Sequence, residues 1–122
     1  LRAPQMELVA CLGADRESWG QVTGLINRGE WDKIILIKSQ AALDYPTPEG
    51  AQEVILDTTK PLIELKDRII AQLKNSFSAF EACLSIASGS GKEHMAIISA
   101  LLSIPVGIRL VAFTKNGVEF VN

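Results

Sequence analysis

Ser88-Gly89-Ser90-Gly91-Lys92-Glu93-His94 is the stretch of this chain with the most chemistry in it. Two glycines let a backbone turn sharply and approach a ligand closely. If a helix follows, its unpaired N–H groups and the positive end of its dipole point to the same place. Lys92 adds a full positive charge, His94 a titratable one, and Ser88 and Ser90 can donate or accept hydrogen bonds. The combination suits a phosphate or another anion. Two stock phosphate motifs do not fit. A Walker A loop needs glycine where Ile86 stands and a hydroxyl where Glu93 stands, and a dinucleotide fingerprint needs glycine where His94 stands. The plainer alternative is a glycine turn joining a strand to a helix, with Lys92 in solvent.

Other side chains make weaker cases. His94 is the only histidine, and Cys11 and Cys83 are distant from it and sit in apolar runs, so no metal-ligand set forms and no cofactor is expected. No Gly-x-Ser-x-Gly elbow is present. Trp19 could stack on a base, but its spacing with Val22 and Ile26 favours a place in the core. Ser39 and Gln40 end a strand on the rim where a ligand would sit. Asp57-Thr58-Thr59 ends another there, with Thr59 expected to cap the helix that follows.

These residues need elements to position them. The apolar run Glu7-Leu8-Val9-Ala10-Cys11-Leu12 reads as a buried strand stopped by Gly13. Asp15 to Ser18 start a helix carrying Trp19, Val22 and Ile26, which Asn27 and Gly29 end. Ile34-Ile35-Leu36-Ile37 is a second buried strand. A helical turn is expected over residues 40–43, and Thr47-Pro48 could cap a second short helix. Val54-Ile55-Leu56 reads as a third strand. Thr59-Lys60-Pro61 opens a helix whose stripe is Leu62, Leu65, Ile69, Leu73 and Phe77, with Glu64 and Arg68 one turn apart on its wet side. Residues 80–87 are expected as a fourth strand, residues 92–103 as a helix stopped by Pro105, and residues 108–113 as a fifth strand. Lys115-Asn116-Gly117 then turns the chain into an antiparallel sixth strand over residues 118–121.

Strands alternating with helices imply βαβ units. The expected fold is α/β: a Rossmann-like three-layer sandwich with a six-stranded, mostly parallel sheet and a C-terminal antiparallel hairpin. Ligands of such sheets bind beyond the carboxyl ends of the strands, where strand order switches. The loop Gly13-Ala14-Asp15-Arg16 should meet the 88–94 loop there.

Length and composition bound the rest. The 122 residues suit one domain; 48% are apolar and 21% charged. Residues 1–5 look unlike a natural start and are expected to be a cloning remnant, leaving 6–122 as the single domain. Twelve Lys and Arg against 14 Asp and Glu give a net charge of -2, which argues against an extended nucleic-acid surface. No apolar run is long enough to span a bilayer, so no membrane partner is expected. Two free thiols suggest a reducing, cytoplasmic compartment.

Leu12-Gly13 at the end of the first strand, and a small, glycine-rich loop with a basic residue after the fourth, resemble the CARF family, the CRISPR-associated Rossmann-fold sensor domains. The resemblance runs from Met6 to Val121. It implies a homodimer that binds a small nucleotide ligand, a cyclic oligoadenylate, across its two-fold axis. In some members a ribose 2′-OH attacks the adjacent phosphate and opens the ring without metal. Carried over, Gly89-Ser90-Gly91-Lys92, with Ser88, would contact phosphates and riboses. Gly13, Ala14 and Asp15 would line the base pocket or the dimer axis. Lys92 would stabilise charge on phosphate and His94 would serve as acid or base if the ring is cleaved. This loop departs from the family in having Ser-Gly-Ser-Gly where a Thr-Gly-Gly type is usual, and in its Glu93-His94 pair. Most members also carry an effector domain, so this chain reads as a standalone or excised sensor.

The helix after the loop adds a separate clue. Met95, Ala96, Ile97, Ile98, Ala100, Leu101, Leu102 and Ile104 cover nearly its whole circumference. A second buried surface, most simply a homodimer interface, would account for that. Two other functions stay open: a small Rossmann-like enzyme or binding protein for another phosphorylated metabolite, and an interaction module whose glycine loop is purely structural.

Overall fold

The computed structural model describes residues 6–122; the expected remnant at residues 1–5 lies outside the described residues. Among the described residues six strands and three α-helices follow in the order β1 (Glu7–Leu12), α1 (Trp19–Arg28), β2 (Lys33–Ser39), β3 (Gln52–Leu56), α2 (Leu62–Leu73), β4 (Glu81–Ser85), α3 (Gly91–Ser103), β5 (Gly107–Thr114) and β6 (Gly117–Phe120), with single 3-10 turns at Arg16–Ser18 and Gln40–Ala42. The sheet order is β3-β2-β1-β4-β5-β6. The first five strands are parallel and β6 closes antiparallel on β5. This is the expected Rossmann-like α/β sandwich.

The order reverses between β1 and β4. Right-handed crossovers then put the helices on opposite faces according to the direction of travel. α1 leads toward β2 and covers one face, over Leu8, Ala10, Leu12, Leu36 and Val111. α2 and α3 lead the other way and cover the second face, over Val9, Cys11, Ile35, Ile37 and Leu84. β1 is therefore buried along its whole length, which explains its unbroken apolar run.

Several local expectations are corrected. Thr59 does not cap α2, which starts at Leu62 after Pro61. Its hydroxyl and amide instead donate to the Asp57 carboxylate, closing a tight turn before the proline. α2 stops at Leu73, so Phe77 reaches the core from the following turn rather than from the helix. Arg68 does not turn to Glu64; its Nε donates to the Ile55 carbonyl on edge strand β3. β4 starts at Glu81 and ends at Ser85, shorter than expected at both ends, and Phe80 is 95% exposed. Thr47-Pro48 opens a turn, not a helix, with the Ala51 amide donating to the Pro48 carbonyl. α3 is not covered all round by unassigned surface: Ala96, Ile97, Ala100 and Leu101 belong to this chain's own core, while Met95 and Leu102 face solvent.

The segment between β2 and β3 is held by Lys38, which is fully buried at the end of β2. Its ammonium donates to the Tyr45 carbonyl (2.6 Å) and the Thr47 hydroxyl (2.7 Å), and pairs with Glu53 (2.6 Å). Three donors thus meet three acceptors, the condition for burying an ammonium group. The bonds from Lys38 and then Thr47 hold the Glu53 carboxyl below its ordinary range. Lys38→Met keeps the stem's packing and strands these acceptors. It should cost about 1–3 kcal/mol in urea unfolding and open residues 40–51 to limited proteolysis. Unchanged stability together with unchanged proteolysis would show that the loop is held by something else.

Candidate functional site

The two loops that leave β1 and β4 meet at the strand-order reversal and are bonded to each other. The Gly13 amide donates to the Ser88 hydroxyl (3.0 Å), and that hydroxyl donates to Asp15 Oδ1 (2.8 Å). The Gly89 amide donates to the same Asp15 oxygen (2.9 Å). Partial burial alone would raise the Asp15 carboxyl. The bonds from Gly89 and Ser88 outweigh it and hold the group below its ordinary range.

The approach is close enough to restrict residue type. A Cβ on Gly13 would lie 2.5 Å from the Gly89 Cα, a backbone atom that cannot step aside. Gly89 has φ +105°, and its own Cβ would lie 2.5 Å from the Cys11 sulfur. Both positions require glycine, one for space and one for space and conformation.

Helix α3 begins at this junction. Ser90 caps it, accepting from the Glu93 amide (3.3 Å) and donating to Glu93 Oε2 (2.9 Å). The Ser90-x-x-Glu93 spacing is a capping-box signature. It accounts for the buried Glu93, whose other oxygen accepts from the Cys11 thiol. Burial first, and the nearby Glu93 carboxylate second, push that thiol far above its usual range, so Cys11 stays protonated and unreactive. His94 is half-buried against the loop, with Nε2 2.7 Å from the Ser88 carbonyl. A carbonyl can only accept, so Nε2 carries the proton.

Two further loops complete the rim. Lys92 Nζ donates to the Thr58 carbonyl (2.9 Å) after β3. The Thr58 amide and hydroxyl both donate to Gln40 Oε1 after β2 (3.1 Å each). On the α1 side, the Trp19 indole donates to the Gly13 carbonyl (2.9 Å) and meets Tyr45 edge-on at 5.6 Å. The Arg16 guanidinium lies over the Trp19 ring at 4.5 Å and pairs with Asp44 at 2.7 Å.

The expected site residues therefore converge but divide into two kinds. Gly13, Asp15, Ser88 and Gly89 spend their polar groups on each other and form the junction. Ala14, Ser90, Gly91 and Lys92 are exposed above it, where the first amides of α3 have no acceptor within the helix. Sequence reasoning did not foresee Trp19 as a brace for the Gly13 loop, Gln40 as the link to Thr58, or Arg16 as a stacked cation. These depend on loops meeting across the sheet and leave no local pattern. The Glu93 role was readable from the capping box. Beside the site, Gly91, His94, Met95, Ile98, Ser99 and Leu102 line an apolar hollow of about 340 Å³ on the exposed side of α3. Among the described residues no three His, Cys, Asp or Glu side chains gather as a metal set, and no helix is long and apolar enough to cross a membrane.

No family model matches the chain, and no curated protein does. Among solved structures the fold is similar to Csm6 from Enterococcus italicus, determined bound to cyclic hexa-2′-fluoro-hexa-dAMP, with a TM-score of 0.59 and 11% sequence identity. The match covers 93% of this chain and 34% of that one, so this chain spans about a third of the Csm6 length. At this identity the likeness establishes the fold.

Gly13→Ala should cost at least about 2 kcal/mol, because its Cβ meets backbone. Gly91→Ala, where a Cβ meets nothing within 4 Å, should be neutral or slightly stabilising at the start of a helix. Thermal and urea unfolding of the two variants measure this difference. Equal stabilities would mean that the loops do not approach as described.

Proposed function

We propose that this chain is a sensor domain that binds a nucleotide second messenger of the cyclic oligoadenylate kind, as a homodimer. The observation that carries the reading is the exposed Ser90-Gly91-Lys92 stretch. It lies at the strand-order reversal, where the start of α3 offers free amides and Lys92 a charge. A phosphate there would accept from the Gly91 and Lys92 amides and draw Lys92 from the Thr58 carbonyl. The junction beneath holds the backbone rigid, so little order has to be imposed on binding. The Csm6 likeness supports this ligand class over other phosphorylated metabolites, because that protein was solved with a ring of adenylates.

Ring cleavage is the further step within this reading. A ribose 2′-OH would attack the neighbouring phosphate, forming a 2′,3′-cyclic phosphate and releasing the 5′-hydroxyl of the next nucleotide. Lys92 would stabilise the charge growing on the phosphate oxygens. His94 would hold the loop through its Nε2–H and have Nδ1 left for proton transfer. The homodimer would use the exposed side of α3, where Met95 and Leu102 are 59% and 64% exposed beside the site.

Thermal unfolding with cyclic tri-, tetra- and hexa-adenylate, NAD and sugar phosphates tests the ligand. Saturation at a hundredfold excess over Kd adds about 2.7 kcal/mol, a large shift for a domain of this size. Lys92→Ala should remove the shift and leave the ligand-free melting temperature unchanged, since the lysine makes one exposed hydrogen bond. A shift with NAD or a sugar phosphate and none with the rings would overturn the reading.

Leu102→Glu tests the dimer. Sedimentation should show a folded monomer where the unmodified chain is a dimer; a monomeric unmodified chain would sink this part. Leu101 is unsuitable for the purpose, because it is fully buried within the chain's own core.

A further inference from the structure

On the α1 side of the junction stands a cation whose charge is partnered but whose side chain is largely exposed. The Arg16 guanidinium rests on the Trp19 indole at 4.5 Å, and its NH2 edge is taken by Asp44 at 2.7 Å. Its side chain is nonetheless 60% exposed. Trp19 itself is not free to stack on anything: Arg16 covers its ring, Tyr45 meets it at 87°, and its N–H is spent on the Gly13 carbonyl.

We infer that Arg16 is a stacking shelf for a base of the bound nucleotide. The inference rests on the nucleotide reading above and says where the base goes. A guanidinium is planar and stacks on aromatic rings, and in nucleic-acid complexes bases stack on guanidinium planes. Arg16 already lies over the Trp19 ring and is tied to Asp44, two contacts that narrow its orientations before a ligand arrives. Its charge is offset by Asp44, whose carboxyl the Arg16 bond holds below the usual range, so the carboxylate is charged at neutral pH. What remains on offer is an exposed guanidinium whose charge already has a partner. That favours a base over a phosphate.

The topology agrees. Arg16 follows Asp15, which touches the β4 loop, so shelf and phosphate position are neighbours. They lie on the two sides of the junction, Arg16 with α1 and Lys92 on α3. In this arrangement a nucleotide with its phosphate at Ser90-Gly91-Lys92 would turn its base toward Arg16.

The test is Arg16→Lys, which keeps the charge near Asp44 and removes the plane. Titration calorimetry with cyclic tetra- and hexa-adenylate should show binding weakened about tenfold, as expected for loss of one stacked base, with an unchanged ligand-free melting temperature. A phosphate contact would survive this change, so binding within twofold of the unmodified chain overturns the shelf while leaving the functional reading intact. An unmodified chain that binds neither ring overturns both.

Discussion

The whole upper surface of this domain depends on two glycines lying against each other. At the point where strand order reverses, the loops from β1 and β4 must leave the sheet toward opposite faces. Gly13 and Gly89 let them pass at a distance that leaves no room for a side chain. Asp15 then bonds the β4 loop through the Ser88 hydroxyl and the Gly89 amide. The position of α3 follows, because Ser90 and Gly91, its cap and first residue, come directly after the junction. So does the placement of Arg16, the next residue after Asp15. A carboxylate that accepts two bonds at such a crossing is stabilised in its charged form, so the junction is lost only in acid below the ordinary carboxylate range.

Around this junction the rim is continuous. Gln40 links the β2 loop to the β3 loop, Lys92 links the β3 loop to α3, and Asp44 with Tyr45 links the β2 loop to the β1 loop. Lys38 anchors the longest of these segments from below with a buried charge. None of the four loops is fastened by apolar burial alone. Polar bonds with fixed directions suit a surface that must keep its shape while remaining open to water.

Much of this was legible in the sequence, and the failures are physical. The unbroken apolar run of β1, the hairpin at Asn116-Gly117 and the breaker at Pro105 each announce a local structure, and each is where it should be. The meeting of the Gly13 and Ser88 loops followed from fold class and strand order. The edges of elements were misread where a competing local bond took over, as at Thr59, which serves Asp57 rather than α2. The apolar circumference of α3 left two readings open, a second interface or burial under a neighbouring helix, because helical periodicity does not tell a core contact with α2 from an open face. Lys38 could not be found from pattern at all. A lysine ending an apolar strand looks like a solvated end, and only the fold shows three acceptors waiting for it.

Helix α3 has one further property. Gly91 lies just above the loop junction and His94 bonds it through the Ser88 carbonyl, and both also line the apolar hollow that continues along Met95, Ile98 and Leu102. A single rod of 13 residues therefore carries both surfaces. Whatever seats on its side and whatever binds at its tip cannot act independently if either tilts it. Thermodynamic reciprocity requires that each then change the other's affinity by the same factor.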